Sequence, residues 1–211
     1  MAQHDWNATY ASNQILPWDT GEPEPHLVEV VQQNLVPRGR ALEVGCGTGT
    51  NSIWLDTQGF EVVALDLAPL AIERARAKAE AAAASHCQFE VRDFLAGEPM
   101  RGSFQFVFDR GCFHVFSEQE QQIAFASRVA SLLGPDGVWL SLIGSTEGPA
   151  REMGPPRRSA LEIVSAIEPY LELATLRAIQ FAPIPGETAA PRAWLCLWRR
   201  RVTPAQPSTR W

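Results

Sequence analysis

Apolar runs of strand length alternate with helix-like stretches from residue 40 onward. This alternation is typical of a sheet built from βαβ units. The buried strands that the apolar runs predict are Arg40–Cys46, Glu61–Asp66, Cys87–Asp93, Phe104–Asp109 and Val138–Ile143. Helical spacing and helix-forming composition predict the intervening helices Asn51–Gln58, Leu70–Ala84 and Glu118–Leu133. The pattern therefore predicts an α/β protein.

The C-terminal part of the chain predicts a loop, a helix and two closing strands. Residues 145–158 are rich in Gly, Pro and Arg and are expected to form a long loop. Ser159 and Glu162 have the spacing of a capping box for a helix that ends near Ile167. Two further apolar runs, separated by a short stretch with Pro and Gly, predict an antiparallel pair of strands, Leu173–Phe181 and Ala193–Arg199.

The length of 211 residues is enough for one domain and too little for two independent cores. Hydrophobic residues make up 45% of the chain and charged residues 20%, and no apolar run approaches the ~20 residues that span a bilayer. We expect an N-terminal segment with a helix over residues 1–37, one domain over residues 38–201 and a disordered Pro-rich tail over residues 202–211.

The charge balance restricts the partners. The chain has 18 Lys and Arg residues against 24 Asp and Glu residues, a net charge of −6, which disfavours nucleic acid and anionic membranes. The first residues lack the basic and apolar regions of a secretory signal, and the four cysteines form no CxxC pair. We therefore expect a cytoplasmic protein with reduced thiols and without a metal site.

A glycine-rich string, LEVGCGTG over residues 42–49, joins the first predicted strand to the first predicted helix. Glycines in such a turn let backbone N–H groups approach a ligand closely. A dinucleotide fingerprint would place its third glycine where Thr50 stands, so a nicotinamide-dependent dehydrogenase fits less well. No Walker lysine follows the glycines, which excludes a P-loop.

This string resembles motif I of the class I S-adenosylmethionine-dependent methyltransferases. The resemblance implies S-adenosyl-L-methionine as the cofactor and S-adenosyl-L-homocysteine as its product. It also implies a Rossmann-like fold, with a seven-stranded, mostly parallel sheet, an antiparallel last strand and helices on both faces. It places Glu43 at the methionine end of the cofactor. The residues that it places around the amino-acid and ribose part are Gly45, Cys46, Gly47 and Gly49.

Two further acidic residues end predicted strands. Asp66 follows Gly45 by 21 residues, a separation at which a carboxylate can bind ribose hydroxyls across the crevice. Leu67 would then flank the adenine. Asp93 and Phe94 resemble the family's acidic residue at the adenine edge and its apolar neighbour. Each carboxylate could instead cap an adjacent helix or turn.

Two short strings indicate a branch of this family. They are DRG over residues 109–111 and LPWDTGEP over residues 16–23, and they resemble the thiopurine and thiol (halide) small-molecule methyltransferases. The resemblance implies that the N-terminal segment, with Trp18 and Gly21, covers the cofactor. It also implies that Asp109 and Gly111 face the methionine portion and the acceptor. Trp18 could instead only fasten the N-terminal segment to the core.

His114 and Arg110 are the candidates for catalysis. His114 is the histidine closest in sequence to the predicted site, and it could act as a base or stay structural at the start of a helix. Arg110 could pair with an anionic acceptor or with a neighbouring acid. The basic residues of the long loop could line the acceptor side or be solvated; they are Arg151, Arg157 and Arg158.

These observations lead to the hypothesis of methyl transfer from S-adenosyl-L-methionine to a small soluble acceptor by in-line displacement. A thiol, selenol or sulfur heterocycle is favoured, because a thiol is partly ionised at neutral pH. The alternatives are O- or N-methylation of a phenol, an N-heterocycle or a natural-product intermediate, and a non-catalytic cofactor-binding regulatory module. We expect a monomer or homodimer.

Overall fold

The computed structural model describes residues 4–12, 16–97, 100–149, 155–182 and 190–201. Within these ranges the strands are β1 (Arg40–Val44), β2 (Glu61–Asp66), β3 (Cys87–Val91), β4 (Phe104–Arg110), β5 (Leu133–Gly144), β6 (Leu171–Gln180) and β7 (Arg192–Arg200). The helices are α1 (Trp6–Ala11), α2 (Pro25–Gln32), α3 (Thr50–Thr57), α4 (Pro69–Ala81), α5 (Gln119–Leu132) and α6 (Ala160–Ile167). A short 3-10 helix follows β4 over Phe113–Val115.

The strands form one seven-stranded sheet with the order β3-β2-β1-β4-β5-β7-β6. The pairs β1–β2, β1–β4, β2–β3 and β4–β5 are parallel, whereas β7 runs antiparallel to both β5 and β6. The mostly parallel sheet with an antiparallel last strand is therefore confirmed. Because only β7 runs in the opposite direction, the carboxyl ends of the other strands meet at one edge of the sheet.

Helices cover both faces of the sheet, as predicted. On one face α2, α3 and α4 bury Leu27, Leu55 and Ile72 against the strands. On the other face α5 and α6 bury Phe125 and Ile163. Successive residues of a strand point to opposite faces, and the central strands contribute apolar side chains to both clusters. The sheet is thus a rigid support for the loops at its carboxyl edge.

The start of β5 differs from the prediction. β5 begins at Leu133 rather than at Val138, so residues 134–137, which separate the predicted helix from the predicted strand, lie inside β5. Leu133 pairs with Phe104 and Val138 with Phe106, so the additional residues of β5 lie opposite a register shift in β4. The Gly-Pro-Asp-Gly sequence therefore makes an irregularity within a strand and does not separate two elements.

Two helix ends show where local signals suffice and where they do not. The capping box of α6 is confirmed: the Ser159 hydroxyl accepts from the Glu162 N–H, and the Glu162 carboxylate accepts from the Ser159 N–H. The helix ends at Ile167, as expected. By contrast, α4 ends at Ala81, short of the predicted Ala84, and Ala83 adopts a left-handed φ of 54° that no helix continues through.

Some predictions fall outside the described residues. The tail over residues 202–211 and Arg151 of the long loop belong to this group, so the expected disorder of the tail stays a prediction. In the described part of the chain, every helix is too short or too polar to cross a bilayer.

Candidate active site

At the carboxyl edge of the sheet the strand order reverses between β1 and β4, the place at which the crevice of an open α/β sheet is expected. Ligands of open α/β sheets bind at such a switch point, because the loops after the two strands diverge to opposite faces. The turns after β1, β2 and β4 meet here, and they carry most of the predicted site residues.

The turn after β1 needs glycines for two reasons: its backbone is left-handed at these positions, and a side chain would have no space. All three have left-handed φ values, 74° at Gly45, 55° at Gly47 and 80° at Gly49. A Cβ at Gly47 would lie 2.8 Å from the hydroxyl oxygen of Tyr10, and a Cβ at Gly49 would lie 2.9 Å from the Cβ of Ala75. Gly49 is therefore a packing residue at the N-cap of α3, whereas Gly47 faces the N-terminal segment.

Asp66 holds its carboxylate over this turn. One oxygen accepts from the Gly47 N–H at 2.8 Å and the other from the Ala68 N–H at 2.9 Å. Burial raises the pKa of Asp66, and these backbone N–H groups act in the opposite direction. A carboxylate has about four lone-pair positions, so it can still accept from two ribose hydroxyls. Asp66, with the half-exposed Leu67 beside it, fits the ribose and adenine of the cofactor.

Cys46 contributes to the turn through its backbone. The N–H groups of Gly45 and Cys46 both donate to the carbonyl oxygen of Leu65, at 2.8 and 2.9 Å, and hold the turn against the end of β2. The side chain of Cys46 is buried, and this burial raises the pKa of its thiol well above the usual value. A cofactor contact of Cys46 stays a prediction that concerns its backbone.

Glu43 is buried beneath the first turn of α3. It accepts a hydrogen bond from the Asn51 amide at 3.1 Å and a second from the Ser52 hydroxyl. Burial raises the pKa of Glu43 to about 7, although both hydrogen bonds lower it. Sequence reasoning missed Asn51 and Ser52, whose only signal was their position in the first turn after the glycines. The contact of Glu43 with the methionine end stays a prediction.

Asp93 and Phe94 take mainly structural positions. One oxygen of Asp93 accepts from the N–H groups of Leu95 and Ala96, at 2.8 and 3.1 Å, so the carboxylate caps a turn. The ring of Phe94 is buried 4.7 Å from the ring of Phe125. The side chain of Phe94 thus packs into the core, and its place beside the adenine stays a prediction. The adenine contact of Asp93 stays a prediction.

Asp109 lies near the end of β4, inside the core. Its carboxylate is fully buried and accepts from the N–H groups of Cys112 and Phe113, at 3.1 and 2.9 Å, and from the indole of Trp139 at 2.9 Å. Burial raises the pKa of Asp109 to about 6, against the effect of these donors. Asp109 therefore organises the turn after β4 from within the core, and its place beside the methionine portion stays a prediction.

Arg110 pairs with an acid of its own chain, one of the two alternatives open from the sequence. Its Nε donates to the carboxylate of Glu24 at 2.5 Å, and its guanidinium carbon lies 4.7 Å above the ring of Phe181. Sequence reasoning missed both partners. Phe181 directly follows β6, so the topology brings it to the same edge as Arg110.

His114 lies deeper in the same region. Its Nδ1 accepts from the Gly144 N–H at 2.8 Å, and the ring packs edge-on against Phe181 with 6.4 Å between centroids. Gly111 has a φ of 78°, and a Cβ there would lie 3.0 Å from Nε2 of His114. Gly111 is therefore required to leave room for the imidazole. We call Arg110, His114 and Phe181 the acceptor-side cluster.

The N-terminal segment crosses the turn after β1. The Trp18 indole donates to the Tyr10 hydroxyl at 3.2 Å, and Tyr10 lies directly over Gly47. Burial raises the pKa of Tyr10, with Asp66 nearby as a second cause. Trp18 thus fastens the segment, while its cofactor contact stays a prediction. Gly21 has a φ of 81° but open space around it, so only its backbone requires glycine.

A second polar contact fixes the same segment. The Thr48 hydroxyl donates to Asp19 at 2.6 Å, and Lys78 of α4 donates to Thr48 at 2.7 Å and to Thr50 at 2.9 Å. The N-terminal segment is therefore joined to both helices that flank the glycine turn. Sequence reasoning did not identify this network, because its members are scattered along the chain.

Two arginines of the loop after β5, Arg157 and Arg158, donate to backbone carbonyl oxygens. The Arg157 guanidinium donates to the carbonyl oxygen of Ser145 at 2.8 Å and to further carbonyls of residues 146–149. Arg158 donates to the carbonyl oxygen of Phe116 at 2.7 Å. Both arginines therefore stabilise the loop, and a contact of either with the acceptor stays a prediction.

Together, this fold and the glycine turn with Asp66 are typical of the Rossmann-like, S-adenosylmethionine-dependent methyltransferases. The family model for thiopurine S-methyltransferase matches residues 1–179. The chain therefore belongs to the thiopurine S-methyltransferase family.

Named relatives and a solved structure are consistent with this family. Probable thiol methyltransferase 2 of Arabidopsis thaliana is 33% identical over 141 residues, 66% of this chain and 61% of the relative. Thiocyanate methyltransferase 1 of Brassica oleracea is 31% identical over 176 residues, 83% of this chain and 75% of the relative. The chain is also similar to a solved structure that is described as concerning the conversion of a disulfide bond into a thioacetal group during echinomycin biosynthesis. The TM-score is 0.78 and the sequence identity 28%, and the match covers 92% of this chain and 90% of that chain.

Proposed function

We propose that this protein transfers the methyl group of S-adenosyl-L-methionine to the sulfur or selenium atom of a small soluble acceptor, a thiol, a selenol or a sulfur heterocycle. Family membership and the names of the two plant relatives support a sulfur acceptor. The acceptor would enter beside the acceptor-side cluster, at the carboxyl ends of β4, β5 and β6.

The observation that carries the choice of sulfur is the hydrogen bond from Gly144 to His114. The Gly144 N–H donates to Nδ1 across 2.8 Å, so a neutral imidazole must carry its own proton on Nε2. In this tautomer Nε2 is a donor and has no lone pair with which to take a proton from the acceptor. His114 therefore suits an acceptor that is already ionised.

The carboxylates around the crevice, like Nδ1 of His114, already accept hydrogen bonds from the protein. Asp66, Asp109 and Glu24 each accept hydrogen bonds from their own chain. A phenolic hydroxyl with a pKa of about 10 needs a base at neutral pH, whereas a thiol with a pKa of about 8.5 is already partly ionised. The arrangement therefore favours a thiolate over a phenol or a ring N–H.

The proposed step needs positioning more than proton transfer. The thiol loses its proton to solvent, and the sulfur attacks the methyl carbon in line, from within about 3–3.5 Å. The new sulfur–carbon bond forms as the old one breaks, and the released electron pair neutralises the sulfonium to give S-adenosyl-L-homocysteine. The N-terminal segment, held by Tyr10 and Trp18, would exclude water from this space.

We place the reaction in the cytoplasm, and the state of the cysteines supports this proposal. All four cysteines are free thiols, as expected in a reducing compartment. Their burial raises the pKa of each thiol, which keeps them protonated and unreactive. The expectation of a monomer or homodimer stays a prediction.

A panel of acceptors with methyl-labelled cofactor tests the proposal. We expect labelled thioethers from aromatic and aliphatic thiols. Label transfer to phenols and N-heterocycles should be at least about 100-fold slower, because general base catalysis typically contributes a rate factor of about this size. Faster labelling of phenols or N-heterocycles would favour the O- or N-methylation alternative. Cofactor binding by calorimetry without turnover on any acceptor would instead support a regulatory module.

A further inference from the structure

Arg110 lies at a junction of three distant parts of the chain. It ends β4, whereas Glu24 precedes α2 and Phe181 follows β6. The Glu24 carboxylate accepts from Nε at 2.5 Å, and the Phe181 ring lies 4.7 Å below the guanidinium carbon. Both charged side chains are largely buried. The carboxylate and the ring therefore fix both the position and the plane of the guanidinium.

Most donors of Arg110 remain available for a ligand. A guanidinium carries five N–H donors, and in the described part of the chain Glu24 alone accepts from Arg110, through Nε. His114 packs against the same Phe181 ring. Arg110 thus presents its two Nη groups at the carboxyl edge of β4, beside the proposed position of the acceptor.

Glu24 is also connected to the cofactor side through its backbone. Its N–H donates to Oδ1 of Asn51 at 2.9 Å, and Nδ2 of Asn51 donates to Glu43 at 3.1 Å. One continuous chain of hydrogen bonds therefore runs from the end of β1, through α3 and the N-terminal segment, to the end of β4. Asn51 can hold both neighbours only because an amide has a donor and an acceptor.

We infer that Glu24 is a positioning residue for the acceptor: it orients Arg110 toward the acceptor, and Asn51 fastens it to the cofactor-binding end of β1. This inference rests on the proposed function. A free Arg110 would sample several rotamers, so its donors would meet the acceptor less often. Loss of Glu24 should therefore affect the acceptor and leave cofactor affinity nearly unchanged.

The first test compares Glu24→Gln with Glu29→Gln in the full chain. Glu29 of α2 makes a bidentate pair with Arg177 of β6, at 2.8 and 2.6 Å, so this control also removes an ion pair to an arginine. We expect Glu24→Gln to raise the KM for thiophenol about tenfold and to change the Kd for S-adenosyl-L-homocysteine less than twofold. An equal KM in the two variants would overturn the inference.

A double-mutant cycle separates positioning from a general structural effect. If Glu24 acts through Arg110, Glu24→Gln should raise the KM no further in an Arg110→Lys background. An undiminished tenfold effect in that background would show that Glu24 acts elsewhere. Asn51→Asp keeps the acceptor for the Glu24 N–H but loses the donor to Glu43, and we expect it to weaken both thiophenol and cofactor binding. An effect on thiophenol alone would contradict the role given to Asn51.

A spectroscopic measurement tests the positioning of Arg110 independently of methyl transfer. With the Arg side chains labelled with 15N and saturating S-adenosyl-L-homocysteine, the Arg110 Nε–H signal is identified by its loss in Arg110→Lys. We expect thiophenol to shift this signal in the wild type and not in Glu24→Gln. No shift in the wild type would overturn the inference. A shift without any methyl transfer would instead refute the proposed function and leave the positioning role standing.

Discussion

The backbone N–H of Gly47 donates to the carboxylate of Asp66 across 2.8 Å and thereby joins the turn after β1 to the end of β2. The hydrogen bond fixes where the carboxylate stands, while lone pairs of Asp66 stay available to a ribose. The glycine turn and the acid thus act as one unit, and substitutions in either should reduce cofactor affinity.

Asp66→Asn should weaken the binding of S-adenosyl-L-homocysteine at least about tenfold, because an amide replaces one accepting oxygen with a donor. Isothermal calorimetry measures this effect directly. The control is Asp136→Asn, which changes an exposed carboxylate in the irregular part of β5. Equal affinities in the two variants would show that Asp66 does not contact the cofactor.

Gly47→Ala should cost stability and cofactor affinity, whereas Gly59→Ala should cost stability alone. Both glycines have left-handed φ values, 55° and 83°, so each alanine should lose about 1 kcal/mol of unfolding free energy. Only the Cβ at position 47 meets the hydroxyl of Tyr10, at 2.8 Å, whereas Gly59 has open space. Urea unfolding and calorimetry separate the two effects, and unchanged affinity in Gly47→Ala would contradict the account.

The sheet, the glycine turn and Asp66 could be predicted because their signals are local. A glycine-rich string that follows an apolar run and precedes a helix specifies a strand, a turn and a helix N-terminus within a few residues. The separation of Asp66 from Gly45 then follows from one βαβ unit. The capping box of α6 is equally local, since Ser159 and Glu162 are three residues apart.

The acceptor side could not be predicted in the same way. Glu24 and Arg110 are 86 positions apart, and only the folded topology brings them together with Phe181. The burial of Asp109 could not be predicted for a different reason. β4 is a central strand buried on both faces, so its sequence shows no alternation that would tell which side a carboxylate takes.

The buried Glu43 should make stability fall as the pH rises from about 4.5 to about 7. Its pKa is about 7 in the folded protein and near the ordinary value of about 4.3 when unfolded, so in this interval the folded state binds the additional proton. The unfolding free energy should then decrease by about 1 kcal/mol per pH unit. Urea unfolding at pH 5 and pH 7.5 should show this decrease in the wild type and a smaller one in Glu43→Gln. Equal slopes would contradict the burial of an acid with a raised pKa.

The pH dependence of turnover should follow the acceptor and not the enzyme. Nδ1 of His114 accepts from the Gly144 N–H and Nε2 carries the ring proton, so His114 cannot act as a base. Ionisation of the thiol itself should therefore set the rate. Two thiols whose own pKa values differ by about 2 units should give pH midpoints that differ by the same amount. In His114→Ala, kcat should fall while both midpoints stay in place. A single midpoint shared by the two thiols would indicate a base on the protein.

The most direct measurement of the central claim is the ratio of kcat/KM for thiophenol and phenol, which have nearly the same shape and differ at the accepting atom. We expect thiophenol to be methylated at least about 100-fold more efficiently at neutral pH, since the protonated Nε2 of His114 cannot take the proton of the phenol. Equal efficiencies, or a preference for phenol, would contradict methyl transfer to a thiolate.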